Sequence, residues 1–259
     1  MKPRVLILRV AGTNCDFETE WAFNLCGAYA ERIHINQIIR REKKLSDYQI
    51  LVIPGGFSYG DDIAAGKVLA NQIKLKLWDE VEKFIQDKKV ILGICNGFQV
   101  LVKSGILPFN TEQLVTLEWN DSGRFEDRWV YLFNTQYSIL NKESKCIWTK
   151  DIPKIIYLPV AHAEGKFVVK DNSVLERLKN KGQIVFQYCD KEGNLKGYPY
   201  NPNGSYKNIA GICDESGRIF GLMPHPERHI DYLQHPRWYR EKEADGLKIF
   251  RNGLDYAKK

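Results

Sequence analysis

The chain has 259 residues, 44% apolar and 12% aromatic, enough for one substantial core at the upper end of single-domain size. Charged residues make up 27%, and no long stretch lacks apolar side chains, which excludes extensive disorder. The formal charge is +6, but Lys43, Lys44, Lys74, Lys76, Lys88, Lys89, Lys142 and Lys145 are scattered rather than gathered among aromatics. That pattern reads as a solvated surface, with a docking face for an acidic partner as the alternative, and not as a nucleic-acid site.

The first half alternates strand and helix patterns. Residues 5–10 are a continuous apolar run, the mark of a strand buried on both faces. Asp16 is placed to cap a helix over 17–25, closed by Gly27. Strands are predicted at 30–35 and at 50–53, the latter stopped by Pro54-Gly55-Gly56. Leu69, Ile73, Leu77, Val81 and Ile85 step by four and predict one long helix over 67–88. A strand at 90–94 and a short helix at 96–103 follow. Strands alternating with helices predict an α/β fold with a mostly parallel central sheet flanked by helices.

The second half reads as antiparallel. Strands are predicted at 129–133, 155–159, 166–169 and 184–188, with a modest helix at 173–179. Residues 209–213 and 218–223 flank Asp-Glu-Ser-Gly as a hairpin. The polar segment 231–256 is predicted to be partly helical. With no repeats and no compositional break, a single domain is expected, its core at about 4–230 and a tail at 231–259.

Cysteines stand at 15, 26, 95, 146, 189 and 213, none in C-x-x-C spacing, which argues against a zinc or thioredoxin-type site. Arg9 cuts the first apolar run too short for a secretory signal, and nothing approaches a membrane span. A reducing cytosolic setting without disulfides is expected.

Chemistry concentrates at Gly93-Ile94-Cys95-Asn96-Gly97, between a predicted strand and helix. That is the pattern of a nucleophile elbow, where small neighbours allow a sharp turn and the first helical amides favour a thiolate. A buried structural cysteine is the alternative. Downstream, Met223-Pro224-His225-Pro226-Glu227 follows a predicted strand. Proline after His225 favours an extended backbone, so His225 and Glu227 point the same way. Glu227 then steers the imidazole, or both face one site, in the base-and-orienter relation of a triad. Pro54-Gly55-Gly56 offers close backbone approach, making the Gly56 and Asn96 amides candidate oxyanion donors. The run from Gly60 to Val68 resembles a phosphate loop, but it is one residue too long and has Val68 where Ser or Thr would bind magnesium. Cys15, in Gly12-Thr13-Asn14-Cys15-Asp16, lacks flanking paired glycines and reads as a loop residue near the site.

Taken together, Gly-x-Cys-x-Gly-x-Gln from Gly93 to Gln99, the upstream Pro-Gly-Gly and the downstream Pro-His-Pro-Glu resemble the class I glutamine amidotransferases. The segments 12–16, 55–61, 120–125, 159–165 and 223–228 narrow the resemblance to glutaminase components of phosphoribosylformylglycinamidine synthases, over about 5–228. The resemblance implies a Cys95, His225, Glu227 triad that hydrolyses glutamine through a glutamyl thioester. It implies that Gln99 contacts the bound glutamine, with Phe57 and Asn120 shaping its pocket. It also implies a synthetase partner that carries ATP and magnesium and makes formylglycinamidine ribonucleotide for purine biosynthesis. A small bridging subunit is implied as well, with no cofactor or metal in this chain. Departures are the loop 62–66, where relatives tend to carry an arginine before Ala65-Gly66, Ala163 in place of glycine, and longer stretches near 134–156 and 190–208. The role of His162 is left open.

Overall fold

The computed structural model describes residues 2–137 and 144–258. Lys142, and with it part of the longer stretch at 134–156, lies outside the described residues. The first half supplies β1 (Arg4–Arg9), α1 (Asp16–Leu25), β2 (Tyr29–His34), α2 (Ile35–Ile39) and β3 (Ile50–Ile53). It continues through α3 (Lys67–Lys76), α4 (Trp78–Gln86), β4 (Val90–Ile94) and α5 (Asn96–Lys103). The second half supplies β5 (Val115–Glu118), β6 (Glu126–Asn134), β7 (Ile155–His162), β8 (Lys166–Val169), α6 (Asn172–Asn180), β9 (Ile184–Cys189), β10 (Ile209–Cys213), β11 (Ile219–Leu222) and α7 (Leu247–Ala257).

Nine strands form one sheet in the order β2-β1-β3-β4-β11-β10-β9-β6-β7. The pairs among β2, β1, β3, β4 and β11 are parallel, and every pair from β11 to β7 is antiparallel. β3 and β4 are buried at every position, as strands covered on both faces must be. β5 and β8 form a separate antiparallel pair. Among the described residues no helix is long and apolar enough to cross a membrane.

Several expectations change. The helix predicted over 67–88 breaks at Leu77, whose φ of −132° is not helical. The charges explain the break: Lys74 and Lys76 end one helix and Asp79 and Glu80 begin the next, each opposite the favourable pole of the helix dipole. Asp16 does not cap α1. Cys15 occupies the cap, and the Asp16 carboxylate turns to Arg9 at 3.3 Å and Arg32 at 3.7 Å. The strand predicted to stop at Pro159 runs to His162; β7 is an edge strand, where a missing N–H costs no ladder bond. α7, within the polar C-terminal segment, buries Ile249, Phe250 and Leu254, and Phe250 meets Phe23 of α1 edge-on at 5.1 Å.

Candidate active site

Three neighbouring parallel strands place the three motifs together. β4 lies between β3 and β11, with Gly93 in register with Ile53 on one side and Gly221 on the other. The segments leaving their carboxyl ends, Pro54-Gly55-Gly56, Cys95-Asn96-Gly97 and Met223-Pro224-His225, therefore emerge at one level. That edge is where open α/β sheets form their ligand crevices. The Cys95 amide donates to Leu222 O at 2.8 Å and locks the elbow to β11.

Cys95 has φ 50° and ψ −104°, a conformation that a non-glycine residue holds only when its surroundings enforce it. The flanking glycines permit it. A Cβ on Gly97 would lie 1.8 Å from Ile53 O, and one on Gly93 would lie 2.7 Å from Gly97 O, so strand and helix pass too closely for any side chain. The sulfur is 3.7 Å from Ala161 O at the end of β7.

His225 is buried, and its amide donates to Pro159 O at 2.8 Å. Its Nδ1 lies 2.5 Å from Glu227 Oε1, with Glu227 wholly buried. Nε2 has no hydrogen-bond partner among the described residues and is the ring nitrogen left for Cys95, which interacts with the same imidazole. Burial works against a charged imidazole, but Glu227, Cys95 and Cys15 outweigh it and hold the His225 pKa well above its ordinary value.

Cys15 stands behind the imidazole, its Sγ 4.0 Å from Nδ1, and Arg228 Nη2 donates to it at 3.2 Å. Burial pushes its thiol up to about 12 despite the opposing contact with His225, so it keeps its proton. Cys15, His225 and Glu227 each bring an atom within 4.8 Å of the others. Metal ligands show the same grouping, but here Nδ1 is already committed to the carboxylate.

A cavity of about 230 Å³ opens beside Cys95, walled by Gly56, Phe57, Asp61, Gln99, Trp119 and residues 161–164 among others. Gly56 has φ 139°, and a Cβ there would meet the Asn14 amide at 2.7 Å. The Gly56 and Asn96 amides enter no backbone hydrogen bond between described residues, which leaves both free to donate. Gln99 is buried rather than exposed on its helix: Nε2 donates to Glu164 O at 2.6 Å, and Oε1 accepts from Asn96 Nδ2 at 3.0 Å. Phe57 is half exposed in the wall and stacks on Phe125 at 6.4 Å.

Asn120 is not part of that wall. Its Nδ2 donates to the carbonyls of Arg124 (2.9 Å) and His162 (2.8 Å), and its Oδ1 accepts from the Gly165 amide (3.0 Å), bracing the segment that is. Its neighbour Trp119 takes the wall position. His162 donates from Nδ1 to Asn120 Oδ1 (3.1 Å) and accepts at Nε2 from Asn203 Nδ2 (3.4 Å). Burial, and the nearby charge of His225, lower its pKa to about 3, so it is neutral. Sequence reasoning also passed over Lys103, which pairs with Glu164 at 3.2 Å under the cavity floor; a lysine in a last helical turn looks like ordinary solvated charge.

A parallel sheet ending in a strained cysteine elbow, with a buried His–Glu pair in the segment after the neighbouring strand, is the arrangement of cysteine hydrolases that work by acyl transfer. Residues 2–257 match the CobB/CobQ-like glutamine amidotransferase domain, and the chain belongs to that family. It is 49% identical to the phosphoribosylformylglycinamidine synthase subunit PurQ of Dehalococcoides mccartyi, over 99% of this chain and 98% of that one. Against the subunit of the same name from Archaeoglobus fulgidus it is 47% identical, over 99% and 97%. Among solved structures, PurLQS from Thermotoga maritima aligns with TM-score 0.75 and 32% identity over 99% of both chains.

Proposed function

We infer that this chain is the glutaminase subunit of a phosphoribosylformylglycinamidine synthase, releasing ammonia from glutamine for a synthetase subunit. The observation that carries the chemistry is the meeting of Cys95, the His225–Glu227 pair and the Gly56 amide at the ends of adjacent strands, beside one cavity. The close relation to PurQ subunits supports the pathway.

In the mechanism, the Cys95 thiolate attacks the side-chain amide carbon of glutamine beside an imidazolium that His225 already carries. The amides of Gly56 and Asn96 hold the developing oxyanion. The proton on His225 passes to the departing nitrogen, ammonia leaves, and a glutamyl thioester stays on Cys95. His225, left neutral, then draws a proton from water, which attacks the thioester, and glutamate departs from the Cys95 sulfur with His225 again protonated. Glu227 fixes the ring through Nδ1 and stabilises the imidazolium. Gln99 and Phe57 line the glutamine pocket, and Asn120 supports its wall. The synthetase subunit supplies ATP, magnesium and formylglycinamide ribonucleotide, and a small third subunit bridges the two; the designation PurLQS of the Thermotoga maritima relative supports such an assembly.

The test is reconstitution with the synthetase subunit. Cys95→Ala is expected to abolish glutamine-dependent amidine formation while the complex still uses free ammonia. Loss of the ammonia-driven reaction as well would assign Cys95 a structural role and overturn the mechanism.

A further inference from the structure

Two carboxylates face the cavity beside Cys95, and only one has a cation. Glu164 is spoken for: Lys103 Nζ reaches it at 3.2 Å, and both oxygens accept from the Ala65 amide at 3.1 Å. Asp61 forms no ion pair among the described residues; its carboxylate accepts from neutral donors, Asn96 Nδ2 at 3.0 Å and the Gly66 amide, with Lys103 acting only from further off. The same Asn96 Nδ2 donates to Gln99 Oε1 at 3.0 Å, so one side chain holds two acceptors next to each other in the wall. Asp61 also sits at φ 55° in a loop where Tyr59, Gly60 and Ile63 have positive φ as well, the kind of backbone strain that collects at ligand sites.

Glutamine carries a neutral amide at one end and an ammonium and a carboxylate at the other. With its amide at Cys95, the ammonium end must find a counter-charge in a partly desolvated cavity. We propose that Asp61 receives the α-ammonium of glutamine, with Gln99 Oε1 as a second acceptor, and so makes the site selective for the amide of an α-amino acid. The proposal rests on the glutaminase reading above and names the group that reads the substrate. Burial raises the Asp61 pKa to about 6, with the charge of Glu164 adding to it; a bound cation would reverse that effect.

The experiment compares kcat/KM for glutamine and for glutaramate, which has the same amide and carboxylate without the α-amino group, in the complex with the synthetase. Asp61→Asn keeps an acceptor for Asn96 and removes the charge. The glutamine-to-glutaramate ratio is expected to fall about 30-fold or more, through KM for glutamine, as for losing a charge-assisted hydrogen bond. An equal loss on both substrates would make Asp61 a brace for Asn96 and overturn the proposal, as would an unchanged ratio.

The wild-type pH profile gives a readout that needs no folded variant. Asp61 faces Glu164 from the segment after β7 and Lys103 from α5, while His162, His225 and Cys95 border the same site. Those groups act on both substrates, so KM for glutamine should rise relative to that for glutaramate as pH falls below about 6. Parallel profiles would overturn the proposal. A wild-type complex that releases no glutamate from glutamine would instead sink the parent reading, a separate result.

Discussion

His225 Nδ1 and Glu227 Oε1 lie 2.5 Å apart, two residues from each other in the chain and both shielded from solvent. The bond leaves the imidazole one orientation, with Nε2 as the nitrogen available to Cys95. Glu227→Gln can still accept at its carbonyl but supplies no charge, so the imidazolium loses its stabilisation. Glutamine-dependent kcat is expected to fall about 10²–10⁴-fold with KM nearly unchanged, read by steady-state glutamate release. A change confined to KM would contradict the assignment.

The elbow depends on absent side chains. Gly97→Ala puts a methyl group 1.8 Å from Ile53 O, and neither β3 nor α5 can yield without moving the sheet. We expect destabilisation of about 3 kcal/mol or more, measured by urea unfolding, with loss of the glutamine reaction. A stable, active variant would show that strand and helix are not held this closely.

His162 gives the fold an acid sensitivity of predictable sign. Its folded pKa of about 3 lies below the ordinary 6.5, so the unfolded chain binds the extra proton and stability falls as pH drops from about 6.5 towards 3. At pH 5 the cost is about 2 kcal/mol relative to pH 7.5. His162→Gln is expected to flatten this part of the curve in paired chemical denaturations, whatever its effect at neutral pH. An unchanged slope would mean that His162 is not kept neutral by the fold.

Lys103 and Glu164 are a buried pair, with side-chain exposures of 5% and 9%. Lys103→Met leaves Glu164 under the cavity with no cation, at an expected cost of about 3–5 kcal/mol. Adding Glu164→Gln should recover most of that in a thermal or urea melt. A double variant as unstable as the single one would point to packing rather than charge.

Much of this was legible in the sequence, for identifiable reasons. The strands at 50–53, 90–94, 166–169 and 209–213 and the helix at 96–103 fall where predicted, because apolar runs or an elbow pattern are bounded there by turn residues. Cys95, His225, Glu227, Gly56 and Gln99 were each carried by a local motif, and the topology brings them to one edge of the sheet. Local pattern does not reach pairs joined only by the fold: Lys103 with Glu164, 61 positions apart, or Asp61 with Asn96. Asn120 was expected to shape the pocket, yet its contacts run to backbone and to the His162 side chain behind the wall, a distinction of a few ångströms that no motif encodes. The short strand β5 was missed because its four residues, only half of them buried, give too little alternation to stand out from a loop.

The central claim is that Cys95, and not the neighbouring Cys15, is the sulfur acylated by glutamine. A glutamine-like diazoketone added to the complex, followed by peptide mass mapping, tests it directly. The account predicts one label per chain, on Cys95, with loss of glutamine-dependent but not ammonia-dependent activity and protection by glutamine. Labelling of Cys15, or full inactivation with Cys95 unmodified, would contradict it.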